Sequence, residues 1–194
     1  MTGMARHVPG EPPDRPSPPP WLQEKLFERR VVFITGRLDD AVAARAAAEM
    51  VALDAIADRP IEVHLDSPDG TLEAAFVLID TFDLLHATVR VHCQGHVGGP
   101  AIGVVAVADH RSAFPHTRFR LAQPTAQFSG TPDQIAAQNR QYQESLWRFQ
   151  ACVGKATGRP PEEIGDDMRR GRYLDAGQAL EYGLIDAIRT PAPG

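Results

Sequence analysis

Short β-branched segments alternate with helical segments three times in the first half of this chain. Residues 30–35 and 61–65 predict buried strands, and a helix is expected between them from an N-cap at Asp39 or Asp40 to about residue 58. Thr71 is expected to begin a second helix, which leads to a third strand at 87–93. This alternation favours an α/β fold with a mostly parallel sheet and right-handed βαβ crossovers.

The second half predicts one long helix and several short elements. Residues 119–121 predict a short strand, and an amphipathic helix is expected over 132–156 until Gly158 ends it. Such a helix either projects to contact a partner subunit or packs on its own sheet, and both possibilities stay open. The remaining expected elements are helices at 160–169 and 175–182 and a strand at 184–188. The apolar stripe of the long helix comprises Ile135, Tyr142, Leu146, Phe149 and Val153.

The ends of the chain differ in composition from the rest. Seven prolines lie between Pro9 and Pro20, and almost no large apolar side chain accompanies them. We therefore expect residues 1–20 to be a flexible proline-rich tail, 21–190 to form one α/β domain, and 191–194 to be a short tail.

Charge and cysteine content exclude several classes of function. The net charge is −5 and no dense basic run occurs, so nucleic acid is not the expected partner. Two cysteines, Cys93 and Cys152, make no disulfide framework, which favours a reducing, cytoplasmic setting. No run of about 18 apolar residues predicts a membrane span, and the N-terminus lacks a signal-peptide pattern. No cofactor and no metal site are expected.

A glycine-rich stretch at 92–103 stands between the third strand and an apolar segment, 101–108, with helical propensity. A turn of this kind brings backbone amides and a helix N-terminus to one point, where they can hold an oxyanion or an anionic group. It can equally be a tight packing turn, and the local pattern does not decide between the two. Cys93, inside the strand, is expected to be a small buried apolar residue.

Five motifs, in order along the chain, resemble those of the ClpP family of self-compartmentalising serine peptidases. Residues 66–70, Asp-Ser-Pro-Asp-Gly, are similar to its Asn-Ser-Pro-Gly-Gly turn, and residues 30–36 to its first strand. Gln123-Pro124 matches its His-Gln-Pro, residues 181–186 match its Glu-Tyr-Gly-Leu-Ile-Asp ending, and the long helix matches its handle. The resemblance covers about residues 22–188 and implies a handle region at about 123–157. It implies the ClpP/crotonase-type fold and heptameric rings joined through the handle.

The resemblance also identifies the positions of a serine-protease triad, and none carries the expected side chain. The family nucleophile position is Gly99, the general-base position is Ala122, and the position of the orienting aspartate is Gly171. No triad position therefore has a nucleophilic or titratable group. Without its triad, such a site is expected to retain only a modest acceleration over water.

The oxyanion hole implied by the same resemblance is incomplete. Its two donors correspond to the amides of Gly70 and Pro100, and proline has no N–H. Losing one donor typically costs about a hundred- to a thousandfold in rate. The substrate cleft beside it would be formed by Ser67, Pro68, Asp69 and Gly98.

Other residues could in principle replace the missing groups. The candidate nucleophiles are Ser67, Ser112 and Ser129, and the candidate bases are His96, His110 and His116. His96 is expected on the glycine turn, where it could approach the cleft. Ser112 and His116 are expected to share a loop before the 119–121 strand at a spacing compatible with contact. For each residue, a surface or turn role is the alternative.

The resemblance finally implies partners. The family docks loops of an AAA+ unfoldase in hydrophobic pockets lined by tyrosines, but those positions are Glu62 and His64 here. An acidic group disfavours an apolar pocket, which argues against unfoldase docking on this subunit.

The leading hypothesis is a catalytically inactive or regulatory ClpP-like subunit, comparable to ClpR-type subunits. It would assemble with itself or with an active ClpP paralogue. The alternatives are an enzyme of altered specificity on the ClpP/crotonase fold and a peptide-binding module.

Overall fold

The computed structural model describes residues 19–189, which form a mixed α/β fold. The helices are α1 (Pro20–Glu28), α2 (Asp40–Ile56), α3 (Leu72–Leu84), α4 (Ala101–Ala106), α5 (Pro132–Thr157), α6 (Pro161–Arg170) and α7 (Ala176–Tyr182). The strands are β1 (Val31–Thr35), β2 (Ile61–Ser67), β3 (Val89–Gly98), β4 (His110–Ala113), β5 (Arg118–Leu121), β6 (Arg172–Asp175) and β7 (Ala187–Ile188). Most of the expected N-terminal tail and all of the C-terminal tail lie outside the described residues.

The sheet is parallel apart from one strand pair. Its main order is β1-β2-β3-β4-β7, and all of these pairs are parallel. The long strand β3 pairs with β4 near its start and with β5 near its end, whereas β5 and β6 pair antiparallel. The predicted mostly parallel α/β fold is therefore confirmed.

Strict alternation of burial along the central strands separates the two faces of the sheet. In β2, the side chains of Ile61, Val63 and Leu65 are fully buried in the core, together with residues of α2 and α3. The intervening residues Glu62 and His64 lie on the opposite face and are only partly buried. The second face of the sheet is therefore polar and partly open among the described residues.

Several strand predictions were incomplete. β3 was expected to end at residue 93 but continues through Gly98, so only Gly99 and Pro100 remain between strand and helix. The strands β4 and β6 were not predicted, and the expected strand at 184–188 is reduced to β7. The four-residue strands depend on pairing with β3 and β5 rather than on an apolar pattern of their own.

The long helix α5 has two distinct halves. Every residue from 131 to 141 is exposed, whereas Leu146, Phe149 and Val153 are buried against the body of the fold. The predicted apolar stripe is therefore buried only toward its C-terminal end, and Ile135 at its start is 39% exposed. As predicted, Gly158 ends the helix, in the left-handed conformation (φ 70°) that glycine adopts without a Cβ penalty.

The C-terminal motif at 181–186 ties α7 and β7 to the rest of the domain. The Tyr182 hydroxyl donates to the buried Asp167 carboxylate at 2.9 Å. Asp186 pairs with Arg111 of β4, whose guanidinium also donates to the Gly183 carbonyl oxygen at 3.1 Å. Burial opposes ionisation of Asp186, but the bonds from Arg111 hold the pKa of this carboxyl below its usual value.

Candidate functional site

The connection between β3 and α4 consists of Gly99 and Pro100. Gly99 has a φ of 53°, and its N–H donates to the Arg120 carbonyl oxygen of β5 at 3.1 Å. Pro100 follows with helical angles, and its nitrogen carries no hydrogen. Because one amide is already bound and the other is absent, neither residue of the turn offers a free N–H to a ligand.

Gly99 lies next to two other residues named from the sequence. A Cβ atom on Gly99 would lie 3.5 Å from the Asp69 Oδ1 atom and 3.9 Å from the Ala122 carbonyl oxygen. These are ordinary van der Waals distances, so a Cβ atom would have space there, although a φ of 53° strains any residue other than glycine. The structure thus brings Gly99, Ala122 and Asp69 together, and the functional group nearest to Gly99 is a carboxylate.

Asp69 is held in an ion pair at the mouth of this cleft. Its Oδ2 atom accepts from Arg37 at 2.8 Å, and both side chains are about half exposed. Ser67, by contrast, is fully buried, and its hydroxyl donates to the Asp69 carbonyl oxygen at 3.2 Å. Ser67 therefore supports the backbone of the cleft, and its hydroxyl is not presented as a nucleophile.

Gly171 lies near the other side of β5, at the C-terminal end of α6. It has a φ of 64°, and a Cβ atom there would lie 4.0 Å from an Arg120 guanidinium nitrogen. That guanidinium in turn lies 5.6 Å from the centre of the exposed Tyr173 ring. The surroundings of Gly171 are therefore cationic and aromatic.

Gly70 and Gly98 allow the backbone segments of the cleft to approach closely. A Cβ atom on Gly70 would lie 2.3 Å from the Leu38 carbonyl oxygen, and one on Gly98 would lie 2.5 Å from the Pro68 carbonyl oxygen. Both distances are far inside normal contact. Leu38 and Gly70 also form a parallel bridge, so the segment from Pro68 to Gly70 is fixed on both sides.

The expected position of His96 was wrong. It was placed on the glycine turn, but it lies in β3, paired with Arg118, and is exposed. Its backbone N–H donates to the Asp66 carboxylate at 3.0 Å. The strand continues past His96 because two extra residues of β3 fit between its pairings with β2 at Cys93 and Val97.

The expected placement of Ser112 in a loop with His116 is also wrong. Ser112 belongs to β4 rather than to a loop, and its Oγ atom lies 2.7 Å from the Nδ1 atom of His92. His116 and Ser129 are exposed, and His110 is exposed at the start of β4. Sequence reasoning missed the role of His92 as the partner. The sequence signal that could have identified His92 was the recurrence of polar residues at every second position of neighbouring strands.

Cys93 is fully buried beside this region, as predicted, and burial raises the pKa of its thiol. We expect a thiol reagent such as Ellman's reagent at pH 8 to react with Cys93 only after unfolding in denaturant. A Cys152→Ser variant isolates the signal, because Cys152 is only partly buried. Rapid reaction of Cys93 in the native Cys152→Ser protein would contradict this expectation.

Within 19–189, no group of three or more histidine, cysteine, aspartate and glutamate side chains is arranged to hold a metal ion. Over the same range, none of the helices has both the length and the apolar character needed to cross a bilayer.

Comparison with known proteins gives consistent matches over most of the chain. The Clp protease family model matches residues 21–192. The ATP-dependent Clp protease proteolytic subunit 3 of Rhodococcus jostii is 32% identical over 171 residues, which are 86% of this chain and 84% of the relative. The ATP-dependent Clp protease proteolytic subunit 2 of Pseudomonas aeruginosa is 31% identical over 169 residues, which are 86% of this chain and 84% of the relative. Together with the α/β fold, these matches show that the chain belongs to the Clp protease family.

Proposed function

We propose that this chain is a non-catalytic or regulatory subunit of a Clp-type ATP-dependent peptidase assembly. The observation that carries the proposal is the connection from β3 to α4. Gly99 has space for a side chain but has none, and Pro100 supplies no amide hydrogen. A serine peptidase needs a nucleophile, a base and donors for the oxyanion, and this cleft supplies none of them at Gly99, Ala122 and Pro100.

The groups that are present favour binding rather than cleavage. Asp69 with Arg37 on one side and Arg120 with Tyr173 on the other surround the cleft. These side chains can orient a polypeptide through charge and stacking. Among the described residues, no hydroxyl, thiol or imidazole lies within 4 Å of a Cβ position on Gly99.

Ring assembly gives a role to a subunit that does not cleave peptides. Clp proteases generally form rings and work with Clp ATPases, and the exposed half of α5 would supply a contact between rings. Glu62 and His64 line the polar face of the sheet, and their charge and polarity disfavour an apolar unfoldase loop there. Such a subunit would occupy ring positions without cleaving and without docking an unfoldase on its own surface.

The direct test is peptidase activity of the purified protein on short fluorogenic peptides. We expect no turnover above the blank. The rate at a site that lacks the triad and one oxyanion donor is lower than that at an intact site by at least about a thousandfold. A matched variant carrying Gly99→Ser, Ala122→His and Gly171→Asp, with Pro100→Met, supplies the missing groups in the same fold. Peptide turnover by the unmodified chain that persists in a Ser112→Ala variant would contradict the proposal.

Co-expression with a serine-bearing Clp proteolytic subunit tests the assembly. We expect the two chains to co-purify, and native mass measurements to give a complex larger than either monomer. A chain that stays monomeric at micromolar concentration, alone and with the active subunit, would contradict the ring-forming role.

A further inference from the structure

Three residues on the polar face of the sheet form a continuous chain of hydrogen bonds. The Ser112 Oγ atom lies 2.7 Å from Nδ1 of His92, and the Nε2 atom of His92 lies 2.5 Å from the Glu62 carboxylate. The three side chains come from β4, β3 and β2. In serine enzymes the same arrangement activates the nucleophile: a hydroxyl lies next to an imidazole, and a carboxylate lies next to the other ring nitrogen.

Strand register brings these residues together. In the parallel pairing, His92 lies opposite Ser112 on β4 and opposite His64 on β2, and Glu62 is two residues before His64. Because side chains alternate along a strand, Glu62, His92 and Ser112 point to the same face. The arrangement is thus fixed by the central part of the sheet and not by a loop.

Burial and hydrogen-bond partners on both ring nitrogens fix the orientation of the His92 imidazole. His92 is 8% exposed, whereas Ser112 is partly exposed. In the tautomer with Nε2–H donating to Glu62, the Nδ1 lone pair faces the Ser112 hydroxyl at 2.7 Å, and the Val91 carbonyl oxygen is a second, more distant acceptor for that hydroxyl at 3.4 Å. Arg90 contacts the other oxygen of Glu62 at 3.4 Å, which limits rotation of that carboxylate. The order of the two ring nitrogens is the reverse of that in serine-protease triads, but each nitrogen has the required partner.

The hydroxyl is accessible from an open groove of about 660 Å³, lined by Glu62, His92, Ser112 and Arg189 among others. One guanidinium nitrogen of Arg189 lies 2.9 Å from Nδ1 and 3.2 Å from Nε2 of His92, so this cation lies beside both ring nitrogens. A cation there can stabilise an oxyanion that forms on a carbonyl bound to Ser112. His64 also lines the groove, and burial followed by the charge of His92 lowers its pKa.

We propose that Ser112, His92 and Glu62 form a second nucleophilic site, separate from the Gly99 cleft, that takes small carboxylic esters. Ser112 and His92 are its catalytic residues, and Glu62 is a positioning residue. The site goes beyond the proposed role of the chain in a peptidase assembly and does not depend on it. The groove is open and has a volume of about 660 Å³, which accommodates an ester of a few carbon atoms.

The reaction balances with water as the only co-reactant. Ser112 Oγ forms a bond to the ester carbonyl carbon while its proton passes to His92 Nδ1, and Glu62 stabilises the imidazolium. The bond from the carbonyl carbon to the alcohol oxygen then breaks, and the alcohol leaves with that proton. Water attacks the acyl group on Ser112, gives its proton to His92, and releases the carboxylic acid as the Ser112 hydroxyl is restored.

A fluorophosphonate probe tests whether Ser112 is activated, because phosphonylation forms an O–P bond and expels fluoride. We expect peptide mapping of the labelled protein to find the adduct on Ser112. Ser112→Ala should abolish this label, and His92→Asn should slow it by about a hundredfold or more, the usual contribution of a general base. Ser129→Ala is the matched control, since Ser129 is an exposed serine outside the groove.

A pH profile separates positioning by Glu62 from a merely structural role. Losing the carboxylate in Glu62→Gln removes a charge that favours the imidazolium, so the ascending limb of the labelling rate should move to lower pH while the plateau falls. Arg90, Arg189, His64 and His110 also face the groove and stay unchanged in this variant. A lower rate with an unshifted profile would show that Glu62 acts only by holding the fold.

Two additional measurements test the proposal if the Ser112→Ala or His92→Asn variant does not fold. Wild-type protein mixed with p-nitrophenyl acetate should release a burst of nitrophenolate of about one equivalent per chain before slower turnover, as covalent intermediates do. In a Ser112→Cys variant, the new thiol should react with iodoacetamide faster than the partly buried Cys152 of the same chain. Equal labelling of Ser112 and Ser129, or a rate unaffected by His92→Asn, would overturn this proposal and leave the proposed non-catalytic role in a peptidase assembly unaffected.

Discussion

Replacing Phe149 with alanine is expected to lower the free energy of unfolding by about 3–5 kcal/mol, the usual cost of removing a buried aromatic ring. Phe149 is fully buried in α5 and meets the Phe76 ring of α3 edge-on, with ring centres 6.5 Å apart. Gly103 of α4 contacts the same ring, since a Cβ atom there would lie 2.3 Å from it. The substitution therefore opens a cavity where three helices meet.

Urea unfolding followed by far-UV circular dichroism measures this loss. Tyr173→Ala is the matched control, because Tyr173 is an aromatic residue of similar size that is 63% exposed. Its removal should change the unfolding free energy by no more than about 0.5 kcal/mol, as for other surface substitutions. A Phe149→Ala protein as stable as the control would show that α5 is not anchored as the structure describes.

Replacing Gly70 with alanine is expected to cost about 1–3 kcal/mol, because an added methyl group would overlap the backbone of Leu38. The Leu38 carbonyl oxygen, 2.3 Å from the new Cβ position, also accepts the Thr71 N–H at 2.9 Å. Backbone cannot move aside as a flexible side chain can, so the hydrogen bond at the start of α3 would be displaced. A lower thermal midpoint, by about 2–4 °C per kcal/mol, reports this loss.

Gly177→Ala is the matched control for Gly70→Ala. Gly177 lies in the first turn of α7, and a Cβ atom there would meet only the Asp175 carboxylate, at 3.4 Å. Alanine is the better helix former, so this variant should be equally stable or up to about 1 kcal/mol more stable. If both glycine variants lost stability equally, close packing at Gly70 would not be the cause.

Local residues predicted most of the helix and strand positions. Asp39 accepts the Val42 N–H as an N-cap, and Thr71 caps α3 in the same way. Gly158 ends α5 in the left-handed conformation. These features depend on contacts within about four residues along the chain, and for that reason the residue types alone predict them.

The errors arose where distant segments decide the structure. The strand β4 has the sequence His-Arg-Ser-Ala and is polar, so no apolar pattern predicted it. It forms because it pairs with β3 on one side and with β7 on the other. Ile135 belongs to a helical stripe by spacing, yet it is exposed, because only the C-terminal half of α5 reaches the body of the fold.

The candidate cleft was predictable in content but not in arrangement. The sequence alone determines that Gly99 has no side chain and that Pro100 has no N–H, because both are covalent facts. It does not show that Asp69, paired with Arg37, lies nearest to Gly99. That proximity follows from the packing of the 66–70 segment against β3, which depends on the pairing of Ser67 with Val97.

The order of motifs in the sequence by itself determined the family and the α/β fold, whereas the assignment of triad positions to Gly99, Ala122 and Gly171 stays a prediction from the resemblance. Only the tertiary structure decided that Ser112 meets His92 rather than His116, and that Glu62 holds the same imidazole. The physical reason is register. Which residues face each other on neighbouring strands depends on long-range pairing and on a two-residue side-chain period, and a shift by one residue would send these side chains to the opposite face.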